Sequence, residues 1–565
     1  MRVFDLANLD YSWSQQEKDD FLRAYVDLVG QLSACNNSLL WWATDISSKN
    51  RFLSLLNDPL EKLFKILRLI KRSEEELLVF IGVPGSLQKS LRSILNTQGI
   101  NLVWQGDRFS IYGVRVKAFF MKLARVIKHL IYIVPRIILA RRLFGSMLAK
   151  SRMDKPPAYV IKTFIASRSF DPAGVYKDLF FGPLVDFMTK RKRVIVLADV
   201  MDDFKQTIGL IKRFGGEKIY PLECFLSLRD IGRSSWQALT YVMRCPRYLE
   251  FDGYDVAELV NHISCCGGDK IQILHLFHYY VMVNFLKHCK VREFVLTCEF
   301  NPWEKMCLWA IKQIAPEIKT FGYQHTVVPQ ASVNMFTSKL EQDIIPKPDV
   351  VLTVGKIPKD IIHRYETCKT SAVEVSCGLR FGYLFGHAPS SRRKMGHILL
   401  ALEGLPQVVQ MTNYVLNQWD SRNGWQLRIR THPVLPLDHF AGQLNKDPRQ
   451  MPGVEVSQET SLQEDLLWAD MVIYWGSTVA LEAVSMGKPV IHYDTGSLLS
   501  YDPLFELAYF KWVVGHGMPL KSIIDQIYSL SESEYEKQRQ AAADYIAAYF
   551  YPVSQQSFNY FMESV

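Results

Sequence analysis

The sequence predicts an α/β protein made of two doubly wound, parallel-sheet halves, with a basic amphipathic segment inserted in the first. Three observations carry this expectation. From Val350 onward, short apolar runs alternate with stretches of helical spacing. A sparser alternation of the same kind runs from Tyr159 to Tyr323. Between Asp107 and Asp154 there is no acid at all, while eleven Lys and Arg lie between Arg108 and Arg152.

At 565 residues the chain exceeds one ordinary domain, and 48% hydrophobic content supplies large cores. The 10 cysteines are scattered, with no CxxC pair. They read as reduced thiols of a cytosolic protein, and they give metal binding no support. The first residues, MRVFDLANLDYSW, carry Asp5 and Asp10 and lack an apolar core, so no signal peptide is expected. No run of about 18 apolar residues occurs, so no spanning helix is expected either.

In chain order, Ser38 to Asp45, Leu77 to Val83 and Leu102 to Trp104 read as strands, with a helix from Leu60 to Lys71 between the first two. The WWATDISSKN run sets two Trp ahead of a polar turn, a pattern that fits both buried aromatics and a binding role. The basic interval mixes its Lys and Arg with Phe, Ile, Leu and Val, and Pro135 falls near its middle. A pair of helices broken at Pro135 and lying on an anionic membrane surface is the expectation, with a core helix bearing a solvated basic face as the alternative. Nucleic acid is disfavoured by the heavy apolar half. Net charge outside this interval is close to neutral.

After Pro156-Pro157 a fresh unit begins. Tyr159 to Ile165 and Arg193 to Ala198 read as buried strands. The loop SRSFDPAGVYKDLFFG from Ser167 lies at a strand's C-terminal end, where Arg168, Asp171, Tyr176 and Asp178 are placed to hold a sugar or to cap the loop. Phe294 to Cys298 leads into Glu299-Phe300-Asn301-Pro302-Trp303-Glu304, and Thr320 to Tyr323 leads into Gln324-His325-Thr326. Glu299 and His325 therefore stand at two successive strand ends, placed for acid–base work.

Pro346 to Pro348 reads as the linker to the second half. Its strands are expected at 350–354, 373–376, 398–402, 426–430, 454–456, 471–474, 490–493 and 512–514, with helices at 405–418, 462–468, 479–486, 519–529 and 532–549. Three strand ends carry polar groups: Glu403-Gly404, Thr431-His432-Pro433 and Gly476-Ser477-Thr478. In a doubly wound sheet these positions bind nucleotides. Arg430, Thr431, His432, Pro433, Gly404, Gly476, Ser477, Thr478 and Glu482 form the expected nucleotide set. The segmentation that follows is 1–110 and 156–345 for the first α/β unit, 111–155 for the basic segment, 346–545 for the second unit, and 546–565 for a tail packing back on the first.

These residues resemble a known family. Two Rossmann-like domains facing a cleft resemble the GT-B glycosyltransferase fold. Thr431-His432-Pro433 resembles the HP motif of bacterial CMP-sugar transferases, Gly476-Ser477-Thr478 their Ser–Ser/Thr motif, and Ala401-Leu402-Glu403-Gly404 their acidic-Gly element. WWATDISSKN, SFDPAGVYKDLFFG, CEFNPWE and GYQH resemble a related group of surface-carbohydrate biosynthesis proteins. The resemblance implies a glycosyltransferase moving Kdo or a nonulosonate from CMP to an O-antigen or capsule glycan. It implies that His432 and the hydroxyls hold the donor phosphate and that Glu403 acts as nucleophile; Glu299 and His325, from their strand ends, are the further catalytic candidates. It implies neither cofactor nor metal, and a place on the inner face of the bacterial cytoplasmic membrane. A UDP- or GDP-sugar or polyol-phosphate donor, a sugar-nucleotide 2-epimerase, and a non-catalytic assembly protein are the alternatives.

Overall fold

A computed structural model describes residues 2–5, 13–72, 78–81, 87–88, 91–92, 94, 111–150, 155–216, 218–366, 371–385, 395–457, 460–515 and 517–562. The strand expected at Leu102 to Trp104 lies outside them.

Seven parallel strands build the first sheet: β1 (Ala158–Ile165), β2 (Val194–Val200), β3 (Ile219–Pro221), β4 (Val291–Thr297), β5 (Lys319–Tyr323), β6 (Val350–Thr353) and β7 (Ala372–Val375), in the order β7-β6-β5-β4-β1-β2-β3. Six parallel strands build the second: β8 (His397–Ala401), β9 (Gln426–Arg430), β10 (Val454–Ser457), β11 (Met471–Tyr474), β12 (Val490–Tyr493) and β13 (Lys511–Val514), in the order β10-β9-β8-β11-β12-β13. Each sheet starts in its middle, winds outward to one edge, and then returns to wind the other way. The reversal falls between β1 and β4 in the first sheet and between β8 and β11 in the second. Such reversals open a crevice at the carboxyl ends of the strands. With helices flanking both sheets, the fold is α/β and of the GT-B type expected.

Burial explains why these runs are strands. Met471 to Tyr474 and Val490 to Tyr493 are buried at every position, as strands covered by helices on both faces must be. The following helices are capped as their sequences require. Ser461 accepts from Glu464 N–H with the reciprocal bond in place, and Ser531 accepts from Glu534 N–H.

Three expectations are corrected. The boundary at 345/346 does not divide the sheets, because β6 and β7 pair with β5 in the first. A strand–helix–strand run has the same pattern in either sheet, so alternation alone does not tell which sheet it joins. Ser38 to Asp45 is not a strand: Ser38 caps a helical turn, Leu39–Trp42, and both Trp are fully buried. An unbroken apolar run carries no period that separates buried strand from buried helix. Finally, Pro135 does not split the basic segment, which is one helix, Ile111–Lys150. A mid-helix Pro costs about 3 kcal/mol. Packing on both sides outweighs it here, with Ile133, Ile137, Ala140 and Phe144 all buried at helical spacing against the first domain. Among the described residues, no helix is long and apolar enough to cross a membrane.

After the second sheet the chain returns. The helix Glu532–Tyr549 ends where the Tyr549 hydroxyl accepts the Val328 N–H (3.0 Å), and Tyr551 N–H reaches Val354 O (2.8 Å). Further on, Tyr159 donates to Phe561 O (2.8 Å) and Phe558 packs on Phe187. Replacing Pro135 by Ala restores one backbone donor without touching the buried stripe. The expected outcome is an unchanged helical circular-dichroism signal and a higher melting temperature.

Candidate active site

The two reversal points face each other. A cavity of about 310 Å3 lies between the sheets, with Glu299, Thr326, Asn334 and Pro329 on the first wall and Glu403, Leu405, Trp475 and Gly476 on the second. Asn50, which ends the SSKN run, Arg51 and Phe52, which follow it, and Tyr501 complete it.

Glu299 stands two residues past the end of β4. Its carboxylate accepts from the Thr326 hydroxyl (2.6 Å) and from Asn301 Nδ2 (3.0 Å), so both oxygens are fixed. It does not cap the next helix. That task falls to Glu304, which accepts the N–H groups of Glu299 (2.8 Å) and Asn301 (2.9 Å) in a capping box at Pro302–Ile314. Burial, and then Glu299 beside it, push the Glu304 carboxyl up to about 8. The buried, perturbed acid of this turn is thus Glu304, and it leaves Glu299 aimed at the cavity. Asn301 also takes part in a long contact with Asn50 (3.4 Å). The SSKN and CEFNPWE elements therefore meet at one place.

Two non-glycine residues here adopt a left-handed backbone, Phe300 (φ 54°) and Lys49 (φ 59°). Each adjoins a cavity residue, Glu299 or Asn50. Backbone of this kind costs about 1–3 kcal/mol and clusters at functional sites.

His325 is brought near Glu299 but does not line the cavity. It is buried against Phe180, and burial pushes its imidazole down to about 4 despite the pull of Glu299. The ring is therefore neutral at pH 7, and its Nδ1 is a buried nitrogen without a hydrogen-bond partner.

On the second wall, Glu403-Gly404 and His432 are adjacent. A Cβ on Gly404 would sit 2.8 Å from His432 Nδ1, so only glycine lets the two strand ends approach. His432 Nδ1 accepts the Val434 N–H (3.2 Å) in the turn made by Pro433, which leaves the neutral ring's proton on Nε2. Thr431 opens this turn and is half-buried. A Cβ added at Gly476 would sit 3.0 Å from Tyr501 Cβ, and Ser477 is buried with its hydroxyl accepting the Val479 N–H (3.2 Å). Thr478 is the N-cap position of Val479–Ser485 and makes no side-chain cap bond.

Several expected residues lie elsewhere. Arg430 points along the sheet edge, where Nη1 binds Asp465 (2.6 Å), Thr460 O (2.9 Å) and Ser457 (3.3 Å). The carboxylate it serves is the protein's own. Glu482 is buried, its pKa raised by that burial, in a separate apolar cavity with Tyr383, Leu462 and Met486. In the Ser167 loop, Asp171 accepts the N–H groups of Ala173 and Val175, Tyr176 is buried on Asp178 (2.6 Å), and Arg168 is exposed. Asp171 and Tyr176 are spent on folding their own loop, the outcome usual for Asp in a tight turn, and none of the three lines the inter-domain cavity.

Sequence reasoning missed Arg51, Asn301, Thr326 and Tyr501. The Asn301-x-x-Glu304 spacing was a legible capping signal; Tyr501 gave none. Arg51 ties the halves together through Ser497 (2.6 Å), Leu499 O (3.0 Å) and Glu61 (3.0 Å). Burial alone would raise the Glu61 pKa, but Arg51 and Lys65 outweigh it and hold it at about 2.

No family model matches the chain, and no curated protein matches it. Among solved structures it is similar to a UDP-GlcNAc 2-epimerase from Neisseria meningitidis bound to UDP-GlcNAc, at 11% identity and a TM-score of 0.39 over 69% of this chain and 99% of that one. It is similar to a glycosyltransferase from Rickettsia africae ESF-5, at 12% identity and 0.39 over 71% and 96%. It is similar to MurG of Acinetobacter baumannii, at 11% identity and 0.38 over 72% and 98%. Likeness this distant speaks to neither activity nor substrate.

Two outcomes are expected. Gly404→Ala pushes His432 out of place and weakens ligand binding in the cavity about tenfold or more, read by calorimetry, with little change in melting temperature. Glu61→Ala leaves the half-buried Arg51 without its carboxylate and costs about 3–5 kcal/mol in denaturant unfolding. Because the folded pKa of Glu61 lies below its ordinary value, its contribution is full above pH 4.5 and is lost as pH falls toward 2.

Proposed function

We propose that this chain is a glycosyltransferase that moves a 2-keto-3-deoxy sugar acid, Kdo or a nonulosonate, from a CMP donor to a cell-surface glycan. The observation that carries the reading is the pair of carboxylates, Glu299 and Glu403, lining one cavity from the facing reversal points of two doubly wound sheets. Sugar transfer needs groups on both sides of the reacting bond. One must take the acceptor proton, and others must stabilise positive charge at the anomeric carbon and negative charge on the departing phosphate.

The residues divide accordingly. His432 Nε2–H and the backbone and hydroxyls of Gly476, Ser477 and Thr478 receive the CMP phosphate. Glu403, beside them, faces the anomeric carbon. Glu299, oriented by Thr326 and Asn301, takes the proton of the acceptor hydroxyl. The bond from the anomeric carbon to the phosphate oxygen breaks, the bond to the acceptor oxygen forms, and CMP leaves with the electron pair. His325 acts on Glu299 from behind and needs no contact with sugar. None of these steps calls on a metal or cofactor.

The acceptor is glycan at a membrane. The helix Ile111–Lys150 exposes Phe120, Ile131 and Ile138 at more than half of their surface, among Lys117, Arg125, Lys128 and Arg142. An apolar face framed by cations and free of acids suits the anionic inner face of the bacterial cytoplasmic membrane.

A thermal-shift series with CMP, UDP, GDP and ADP tests the donor without an acceptor. CMP should stabilise most; a preference for UDP or GDP assigns the alternative donor class. Glu299→Gln and Glu403→Gln should each lower transfer by a hundredfold or more while leaving CMP binding within a few fold. Full transfer by the double variant would place the chemistry elsewhere, and a wild type with CMP binding but no transfer would fit an assembly protein. For the membrane, sedimentation with phosphatidylglycerol vesicles should fall about tenfold in Ile131→Glu and at high salt.

A further inference from the structure

A second cavity, of about 230 Å3, lies beneath the basic helix and away from the cleft. Tyr132, Ile133 and Arg136 of the helix form its roof. Leu222, Leu226, Phe277 and Val281 form its apolar walls, and Trp303 its far end. Such a volume is smaller than the roughly 300 Å3 at which sites for whole drug-sized ligands begin, so it takes a part of a molecule.

The charges around it are already neutralised. Arg136 pairs with Glu223 (2.7 Å). Asp199 pairs with Lys162 (3.2 Å) and His278 (3.1 Å), and Lys162 is fully buried with its ammonium 3.6 Å from the Trp303 ring centre. Gln272 donates to Asp45 (3.1 Å) and the His275 ring meets Ala43 O (3.2 Å). What the walls leave over is apolar surface and two buried polar atoms, Arg136 Nε and Glu223 Oε2, which have no hydrogen-bond partner. Arg136 Nε–H suits the oxygen of one ester or hydroxyl, and Glu223 Oε2 suits a hydroxyl that donates to it. An isolated charge or a many-hydroxyl sugar finds nothing further to bind.

Tyr132 is half exposed and stands next to Ile131 on the exposed apolar face, so the roof of the cavity and the membrane-facing surface belong to one turn of one helix. We propose that this cavity takes a single aliphatic chain of an amphiphile presented at an anionic membrane, with the chain along Leu222, Leu226 and Val281 and its first polar group at Arg136 and Glu223. The inference rests on the membrane contact proposed above and is independent of the donor. The cavity reaches Trp303, four residues from Glu299, so a chain seated there belongs to a molecule anchored within reach of the acceptor wall.

The test uses the full-length protein and a twelve-carbon monoacylglycerol bearing a diazirine near its chain end, kept monomeric, with labelled residues mapped by mass spectrometry. Labelling should concentrate on the peptides containing Leu222 to Leu226 and Ile273 to Val281. It should fall about tenfold in Val281→Phe and in Leu226→Phe, two independent ways to fill the space, each checked for an unchanged melting temperature and unchanged nucleotide binding. Labelling confined to Phe119, Phe120 and Ile131, or none, overturns the proposal. A second arm uses vesicles of diazirine-bearing phosphatidylglycerol. Labelling of the same peptides there assigns the chain to the bilayer, and labelling by the monomer alone assigns it to a free amphiphile. Loss of vesicle sedimentation with retained monomer labelling would refute the membrane contact and leave the cavity standing.

Discussion

The guanidinium of Arg51 is the point at which the two halves of the protein are held at a fixed spacing, because it bonds Ser497, Leu499 O and Glu61 at once and packs over Tyr501. Its bonds cross from the N-terminal helices to the loop after β12. A shift of an ångström here would change the width of the cleft that Asn50, Arg51 and Tyr501 help to close. Placing such a charge in the interior is costly unless its donors are satisfied. Glu61 and the two loop oxygens satisfy them, so the joint is specific as well as strong. The returning C-terminal helix adds a second tie through Tyr549 and Tyr551.

Given that spacing, the site follows from sheet topology. Parallel sheets that reverse their winding direction leave a crevice at the reversal, and this chain has two. Each delivers a glutamate to the cavity two residues past a strand end. The left-handed turns at Phe300 and Lys49 aim the polar groups of two distant segments at the same space. Glu304 takes the capping role that would otherwise have claimed Glu299.

Periodic features of this fold were legible, and long-range ones were not. Strands 471–474 and 490–493 and helix 462–468 could be read to the residue because parallel strands covered on both faces leave unbroken apolar runs and helices leave a 3.6-residue stripe. The pairing of Val350–Thr353 with β5 could not, since which sheet a strand joins is settled by contacts far along the chain. The same limit governs the site. Glu403, Gly404 and His432 were found together because neighbouring strand ends follow from local order. Arg430 and Tyr176 lie away from the cavity because their partners, Asp465 and Asp178, are carboxylates whose orientation only packing decides. Arg51 and Tyr501 escaped notice since nothing local distinguishes a residue that reaches across a cleft.

The most direct measurement is a crystal structure of the full-length protein with CMP bound. Phosphate density is expected within hydrogen-bonding distance of His432 Nε2 and the Gly476–Ser477 backbone, between Glu403 and Glu299. Nucleotide seated in the cavity beside Glu482, or anywhere outside the inter-domain cleft, would contradict it.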